Sequence, residues 1–327
     1  MHKGRYNALV LDIRLSPRGP LLVKHGGTSA DPSLPDMQFV RTYHARLGET
    51  VYIPGSSLKG AVRGFVEKVL RTMDDSSNPG PAAEKGWRWA CATFEDRRAG
   101  RGDRAQWACP QFLRDGDVLR YIRGEEEREL HSWEVYRWSC GACRMFGHTR
   151  LRGRVSFTDL VPLGAVRTET RYGVAISRLS HAVAQGPFDI EVVVAGTFGG
   201  QVVLENFELW QLALLATALQ AMEAGLLKVG FGKNRGFGEV SVAVSSVRLD
   251  EAARGAAPDA WRGLGAIVNG DLRRAYGLSA PDRLDGMPQP ASLDWDLLYL
   301  RRTYDSAAWE RIVQRSVAAL GVDGGQG

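Results

Sequence analysis

KVGFGKNRGFGEVSV, residues 228–242, sets Gly230, Gly232, Gly236 and Gly238 among the cations Lys228, Lys233 and Arg235 and runs out into a valine alternation. The segment before it, LWQLALLATALQAMEAGLL at 209–227, reads as a long helix, and GEVSVAVSSVRL at 238–249 alternates as a strand. The stretch is therefore a helix-to-strand connection made with very little side chain. Glycine takes up φ > 0 without a steric penalty and lets another molecule approach the main chain. Two explanations stand: the loop holds a phosphate-rich ligand beside Lys233, Asn234 and Arg235, or it is a tight turn whose cations are solvated.

Working outward, YNALVLDIRL at 6–15 alternates apolar and polar residues as a half-buried strand does. A loop rich in Gly, Pro and Asp follows. VYIPGSSLKGAVRGFVEKVLRTM at 51–73 then places Leu58, Val62, Phe65, Val66 and Val69 at helical spacing, with Ser56 or Ser57 as the expected N-cap. Lys59 and Arg63 lie one turn apart near the helix start, either as an anion site or as part of an ordinary solvated face. RVSFTDLVPL at 154–163 and IEVVVAGTF at 190–198 read as strands. Between them an excursion carries Arg167, Arg171, Arg178 and His181 among Tyr172, Val174, Ile176 and Leu179. Such a mixture can grip a backbone and wedge or stack bases, and an irregular surface hairpin would look similar. After the last strand the tail predicts helices at 259–276 and 306–319. The βαβ…βαβ order predicts an α+β fold, an RRM-like (ferredoxin-like) sheet with helices on one face, a cysteine-bearing insertion and a protruding hairpin.

The 327 residues carry 42 Lys+Arg against 37 Asp+Glu, a net charge of +5, which suits a polyanionic partner. The longest apolar run is broken by Gln and Glu, and the basic N-terminus has no apolar segment after it. The expectation is a cytoplasmic protein with no membrane span.

Cys91, Cys109, Cys140 and Cys143 follow a C-x17-C-x30-C-x2-C spacing. CGAC at 140–143 supplies two thiolates of a tetrahedral site, and Cys91 and Cys109, in a polar segment unable to build its own core, supply the other two. A redox CxxC needs a strand before it and a helix start after it in a thioredoxin-like unit, whereas WSCGACRMFGHTRLRG runs on into Arg and Gly. Structural zinc is the preferred reading on ligand type, with His131 or His148 as substitute ligands.

Three stretches, IPGSSLKGAVRG at 53–64, CRMFGHTRLRGRVSFTDL at 143–160 and GFGKNRGFGEV at 230–240, resemble, in this order, the most recognisable parts of the RAMP superfamily, whose members form the backbone of CRISPR effector complexes. DPSLPDMQFVRTYHA, upstream of the first, resembles backbone subunits of type III complexes and equally those of type IV. The resemblance implies an RRM-like palm that polymerises along a CRISPR RNA, pushes a thumb hairpin through it and presents guide segments to a complementary target. Carried over, Ser56, Ser57, Lys59 and Arg63 would hold RNA phosphates, Lys233, Asn234 and Arg235 would lie along the same backbone, and the thumb would be about 164–187 with Arg167, Arg171 and Arg178. The implied division is a palm over 1–250, interrupted by an insertion at about 74–145, and a C-terminal helical extension over 251–327. Its partners would be CRISPR RNA, target nucleic acid, copies of itself and other effector subunits.

In type III backbone subunits an aspartate before this helix cleaves target RNA, and Asp36 in LPDMQFVR stands near that place with a longer spacer to Pro54. A carboxylate there would act as general base or magnesium ligand; otherwise Asp36 and Asp31 are turn residues beside Pro35 and Pro32. The expectation is a scaffold that does not cut, with metal-dependent cleavage through Asp36 as the alternative. A P-loop is excluded because GFGKNRG lacks the Ser or Thr that binds magnesium. A guide-processing endonuclease of the same superfamily usually has two tandem halves, and only one IPGSSLKG helix is present.

Overall fold

The computed structural model describes residues 4–24, 26, 35–73, 90–91, 108–113 and 128–318. Its centre is β1 (Asn7–Pro17), antiparallel to β8 (Phe198–Glu205) on one side and to β9 (Val240–Ala252) on the other. Across the sheet the order is β12 (Ser292–Trp295), β13 (Tyr299–Asp305), β9, β1, β8 and β4 (Val155–Phe157), with short β5 (Val161–Pro162) also on β8. All its pairings are antiparallel, so this is a mixed α/β protein built on a mostly antiparallel sheet.

Where the alternation suggests a half-buried strand, the first half of β1 is buried on both faces, Ala8 and Val10 included; on one side lie Leu9, Leu11, Ile13 and Leu15. They share a core with Leu58, Val62, Val66 and Leu70, the i, i+4 stripe of α1 (Gly55–Met73). α5 (Leu209–Glu223) is apolar nearly all round and is correspondingly buried between α1 and α8 (Ser306–Ala318), both of which it touches. Truncating one of these leucines to Ala costs about 2–5 kcal/mol through lost burial and the cavity left behind.

α1 starts at Gly55, one residue before the serines expected to cap it. Asp159 Oδ1 accepts the Gly55 N–H at 2.8 Å, and a Cβ at Gly55 would meet the Phe157 carbonyl at 2.2 Å. The helix entry is thus pressed against the β4–β5 connection, and Ser56 and Ser57 lie inside the first turn instead of capping it.

A second correction concerns the C-terminal part, which is not simply helical. Residues 259–276 divide into β10 (Ala260–Arg262), α6 (Leu264–Ile267) and α7 (Gly270–Tyr276), and β12 and β13 widen the sheet. In β13 the alternating Leu300, Arg302 and Tyr304 are buried, and the charge at Arg302 is met by Glu251 at 2.9 Å and the Ala260 carbonyl at 3.0 Å. A buried arginine in mid-strand conceals the period of two.

β6 (Arg167–Ile176) and β7 (Val183–Ala195) form a separate antiparallel ribbon. Its base is buried through Ile190, Val192 and Val193 and is bridged by Leu21 and Met37, whereas its far end exposes Tyr172, Ile176, Leu179 and Val183. Of the expected insertion at about 74–145, the described parts are residues 90–91, 108–113 and 128–145, with α2 (Cys109–Phe112), α3 (Ser132–Trp138) and α4 (from Gly141, to Phe146). Asp31 lies outside the described residues. No helix among the described residues is long and apolar enough to cross a membrane.

Candidate nucleic-acid interface and metal centre

All four glycines of the loop have positive φ, and two of them are also pressed against main-chain carbonyls. Gly230 has φ +82°, and a Cβ there would sit 2.1 Å from the Leu22 carbonyl, which already accepts the Phe231 N–H at 2.7 Å. Gly238 is hemmed in the same way by the Val229 carbonyl. Both let the loop lie flat on residues 20–22 as β9 begins. Beyond them Lys233–Arg235 makes one turn of 3-10 helix between Gly232 and Gly236, both left-handed, with Lys233, Asn234 and Arg235 exposed. Arg235 lies over the Phe231 ring at 6.0 Å. Burial, and then the charge of Lys68 on α1, holds the Lys233 ammonium below its ordinary value. Lys68 and Lys233, 165 positions apart in sequence, are thus close enough in the fold for the charge of one to be felt at the other.

Lys68 points to an outer face of α1 that sequence reading missed. Ser56, Gly60, Gly64 and Lys68 recur at i, i+4 and are all exposed, and a Cβ at Gly60 or Gly64 would meet nothing within 4 Å. Two glycines on an open helix face weaken the helix by about 0.5–1 kcal/mol each, which makes bare backbone the feature this face offers. Lys59 is half-buried, and burial, followed by the charge of Arg63, lowers its ammonium below the ordinary value. Arg63, grouped with Lys59 by sequence, instead turns inward: its Nε donates to Glu67 Oε1 at 2.8 Å, one terminal nitrogen to the Gly147 carbonyl at 3.1 Å and the other to Cys143 Sγ at 3.7 Å.

On the ribbon, Arg167, Arg171 and Arg178 are exposed, and Arg171 is paired with Glu169. Asp36 lies at the ribbon's base, where its Oδ2 accepts the Asp189 N–H at 3.0 Å. The strand-like segment after it is clamped by Glu191, which accepts the Phe39 N–H at 3.1 Å and pairs with Arg41. The backbone beside Asp36 is thus fastened to β7, a role that neither Glu191 nor Arg41 announces in sequence.

The four cysteines come together. Cys91, Cys109, Cys140 and Cys143 are buried, with sulfurs all within 4.8 Å of one another, and no histidine is in the group; His148 instead shares a hydrogen bond with Ser139 Oγ at 3.0 Å. Burial pushes the His148 imidazole down to about 4. Four sulfurs around one zinc at ordinary Zn–S lengths lie about 3.8 Å apart, and Cys91 Sγ and Cys143 Sγ are 3.8 Å apart. The Cys143 N–H points at Cys140 Sγ at 3.4 Å, and the Cys140 N–H at Cys109 Sγ at 3.2 Å. Main-chain donors aimed at sulfur are contacts that suit a thiolate holding a metal. The donor set fits a metal ion such as zinc.

The model of the RAMP superfamily matches residues 19–241, which is most of the chain and includes α1, the ribbon, the cysteine pair at 140–143 and the glycine loop. The chain belongs to the RAMP superfamily. No curated protein matches it. As a superfamily, RAMP proteins are CRISPR-associated and bind RNA, so the exposed cations and the bare face of α1 belong to a protein class that meets phosphates. The matched span begins after β1 and ends as β9 begins, before β12, β13 and α8.

Proposed function

We propose that this RAMP superfamily protein is a backbone subunit of a CRISPR effector complex, binding guide RNA along the outer face of α1 and the 233–235 turn. The observation that carries the proposal is the exposed Ser56–Gly60–Gly64–Lys68 row, open enough for a nucleic-acid backbone to lie close, with the exposed cations of the 233–235 turn near enough to feel the charge of Lys68. Ser57 and Lys59, on opposite flanks of the bare row, would add phosphate contacts. The β6–β7 ribbon would be the thumb. A two-stranded ribbon with a row of exposed apolar side chains and cations has no packing reason of its own to project. The RRM-like reading of the palm is supported by the order β9–β1–β8–β4, with α1 leading from β1 towards β4 and α5 from β8 to β9, as in a βαββαβ unit. In this reading copies of the chain line up along one RNA beside other effector subunits and present it to a complementary target, in a type III or a type IV complex.

A scaffold that holds its target intact is preferred over cleavage, because the spacer from Asp36 to Pro54 is longer than in the cleaving pattern; one oxygen of the exposed Asp36 carboxylate accepts the Asp189 N–H. Magnesium would enter only if Asp36 cut RNA. Isolating the protein from its host and sequencing the nucleic acid that comes with it is the direct test. Short RNAs carrying CRISPR repeat sequence are expected, and cellular RNA of no common sequence would contradict the proposal. Offered a complementary RNA and magnesium, the assembled complex is expected to protect it. Regular cuts that vanish in Asp36→Asn would make the chain a type III target-RNA endonuclease.

A further inference from the structure

The row of α1 next to its bare one turns to the cysteine cluster, which its two arginines reach. Arg63, Glu67 and Arg71 recur at i, i+4 and i+8, with Glu67 buried and joined to Arg63 at 2.8 Å and to Arg71 at 3.3 Å. From the ends of this ladder Arg63 donates to Cys143 Sγ and the Gly147 carbonyl, and Arg71 donates to the Cys91 carbonyl at 3.0 Å. Both flanks of the cluster are thereby fastened to one helix, with cations nearest the sulfurs. A divalent ion held by four thiolates carries a net charge of about −2, and in a buried site such charge is costly unless cations and donors lie beside it.

We infer that Arg63 is a positioning residue of the metal site and not an RNA contact, and that through the Arg63–Glu67–Arg71 ladder the occupied site fixes α1 in the placement that RNA binding needs. The guanidinium compensates the tetrathiolate charge and donates a hydrogen bond to Cys143, while Glu67 holds it in place. Metal affinity and RNA affinity are then coupled, although no cysteine touches RNA. This rests on the metal and RNA readings above, and the arms of the test separate them.

The test uses the full chain with Arg63→Gln, Arg63→Lys and Lys59→Gln. Zinc affinity is read by chelator competition, and RNA affinity by titration of a mixed-sequence single-stranded oligoribonucleotide across salt concentrations, at stoichiometric and at excess zinc. Arg63→Gln is expected to weaken zinc about 10- to 100-fold. Its RNA affinity should fall at stoichiometric zinc and return at excess zinc with an unchanged salt slope. Lys59→Gln should hold zinc like the parent and lose about one unit of slope. In cobalt-substituted protein, Arg63→Gln should move the thiolate-to-metal charge-transfer band to longer wavelength, because the sulfur loses a donor, and Arg63→Lys, which keeps the charge, should move it less. A general loss of folding would not single out this band. An Arg63→Gln protein that keeps parental zinc affinity, or that loses a unit of salt slope with zinc saturating, overturns the inference. A parent that binds no zinc also overturns it, whereas an unchanged slope in Lys59→Gln counts against the RNA reading alone.

Discussion

The cysteine cluster and the β6–β7 ribbon are both additions to the same sheet, and they dispose of their polar groups in opposite ways. Around the cluster nearly every charge is answered from within: Arg63 by Glu67, Arg128 by Glu134 at 2.6 Å, and Arg144 by the carbonyls of Tyr136 and Ser139. On the ribbon Arg167 and Arg178 have no side-chain partner among the described residues, and Leu179 is 96% exposed. Buried donors that find acceptors stabilise a fold, while exposed cations interleaved with apolar side chains are left for a partner. The same residue type, arginine, has a structural role in one region and an outward-facing one in the other.

The comparison breaks most severely if the cluster is not a metal site. Cys143→Ser is expected to take zinc, by elemental analysis, from about one per chain to near zero, and to open the segment around 91–143 to protease while the sheet survives. Chelator-treated protein that contains no zinc, stays folded and offers all four thiols to titration would show the cluster to be four buried thiols only.

A smaller effect separates glycines that serve the fold from those that leave a surface open. Gly230→Ala forces a left-handed alanine into the Leu22 carbonyl and should cost about 3 kcal/mol or more in urea unfolding. Gly236→Ala, also left-handed but in open space, should cost only about 1–2 kcal/mol.

Inward-facing charge also predicts a pH dependence. Asp282 accepts N–H groups from Leu209 and Gly265, both at 2.9 Å, yet burial, aided by nearby Glu208, holds its carboxyl up at about 7. Since the folded value lies above the ordinary 3.8, the folded state takes up a proton that the unfolded chain releases, and stability is lost as pH rises through that interval. Between about pH 5 and pH 8 the parent should lose roughly 2–3 kcal/mol more than Asp282→Asn, measured as the shift in urea midpoint. Parallel curves for the two proteins would show that Asp282 is ionised throughout.

The smallest expected change in stability is a gain. Gly64→Ala should stabilise the chain by about 0.5–1 kcal/mol, since it adds helix propensity on an open face. Gly64→Leu should remain folded and bind RNA about tenfold more weakly, a difference of about 1.4 kcal/mol. Unimpaired RNA binding by Gly64→Leu would remove this face from the interface.

Much of this was readable in the residues. The alternation of β1, the α1 stripe, the ribbon and the convergence of four cysteines follow from period and ligand chemistry. Arg63, expected at phosphate because Lys59 lies one turn away, also stands in an i, i+4 row with Glu67 and Arg71 that is visible in the sequence. Gly60 and Gly64 passed unremarked in a helix although the same bareness was noticed in a loop. The strands of the C-terminal part were hidden because Arg302 stands where an apolar residue would have shown the alternation. Asp159, which meets the start of α1, is 104 positions from Gly55 and carries no local mark of that task.

The central claim, that RNA meets the outward face of α1, the 233–235 turn and the ribbon and not the cysteine cluster, is tested most directly by photo-crosslinking. The assembled complex would carry 4-thiouridine in its guide RNA, and the attached peptides would be mapped by mass spectrometry. Crosslinks are expected within 56–68, 167–183 and 228–237, with none in 140–147. Crosslinks concentrated on 140–147, with α1 and the glycine loop unmarked, would contradict the account.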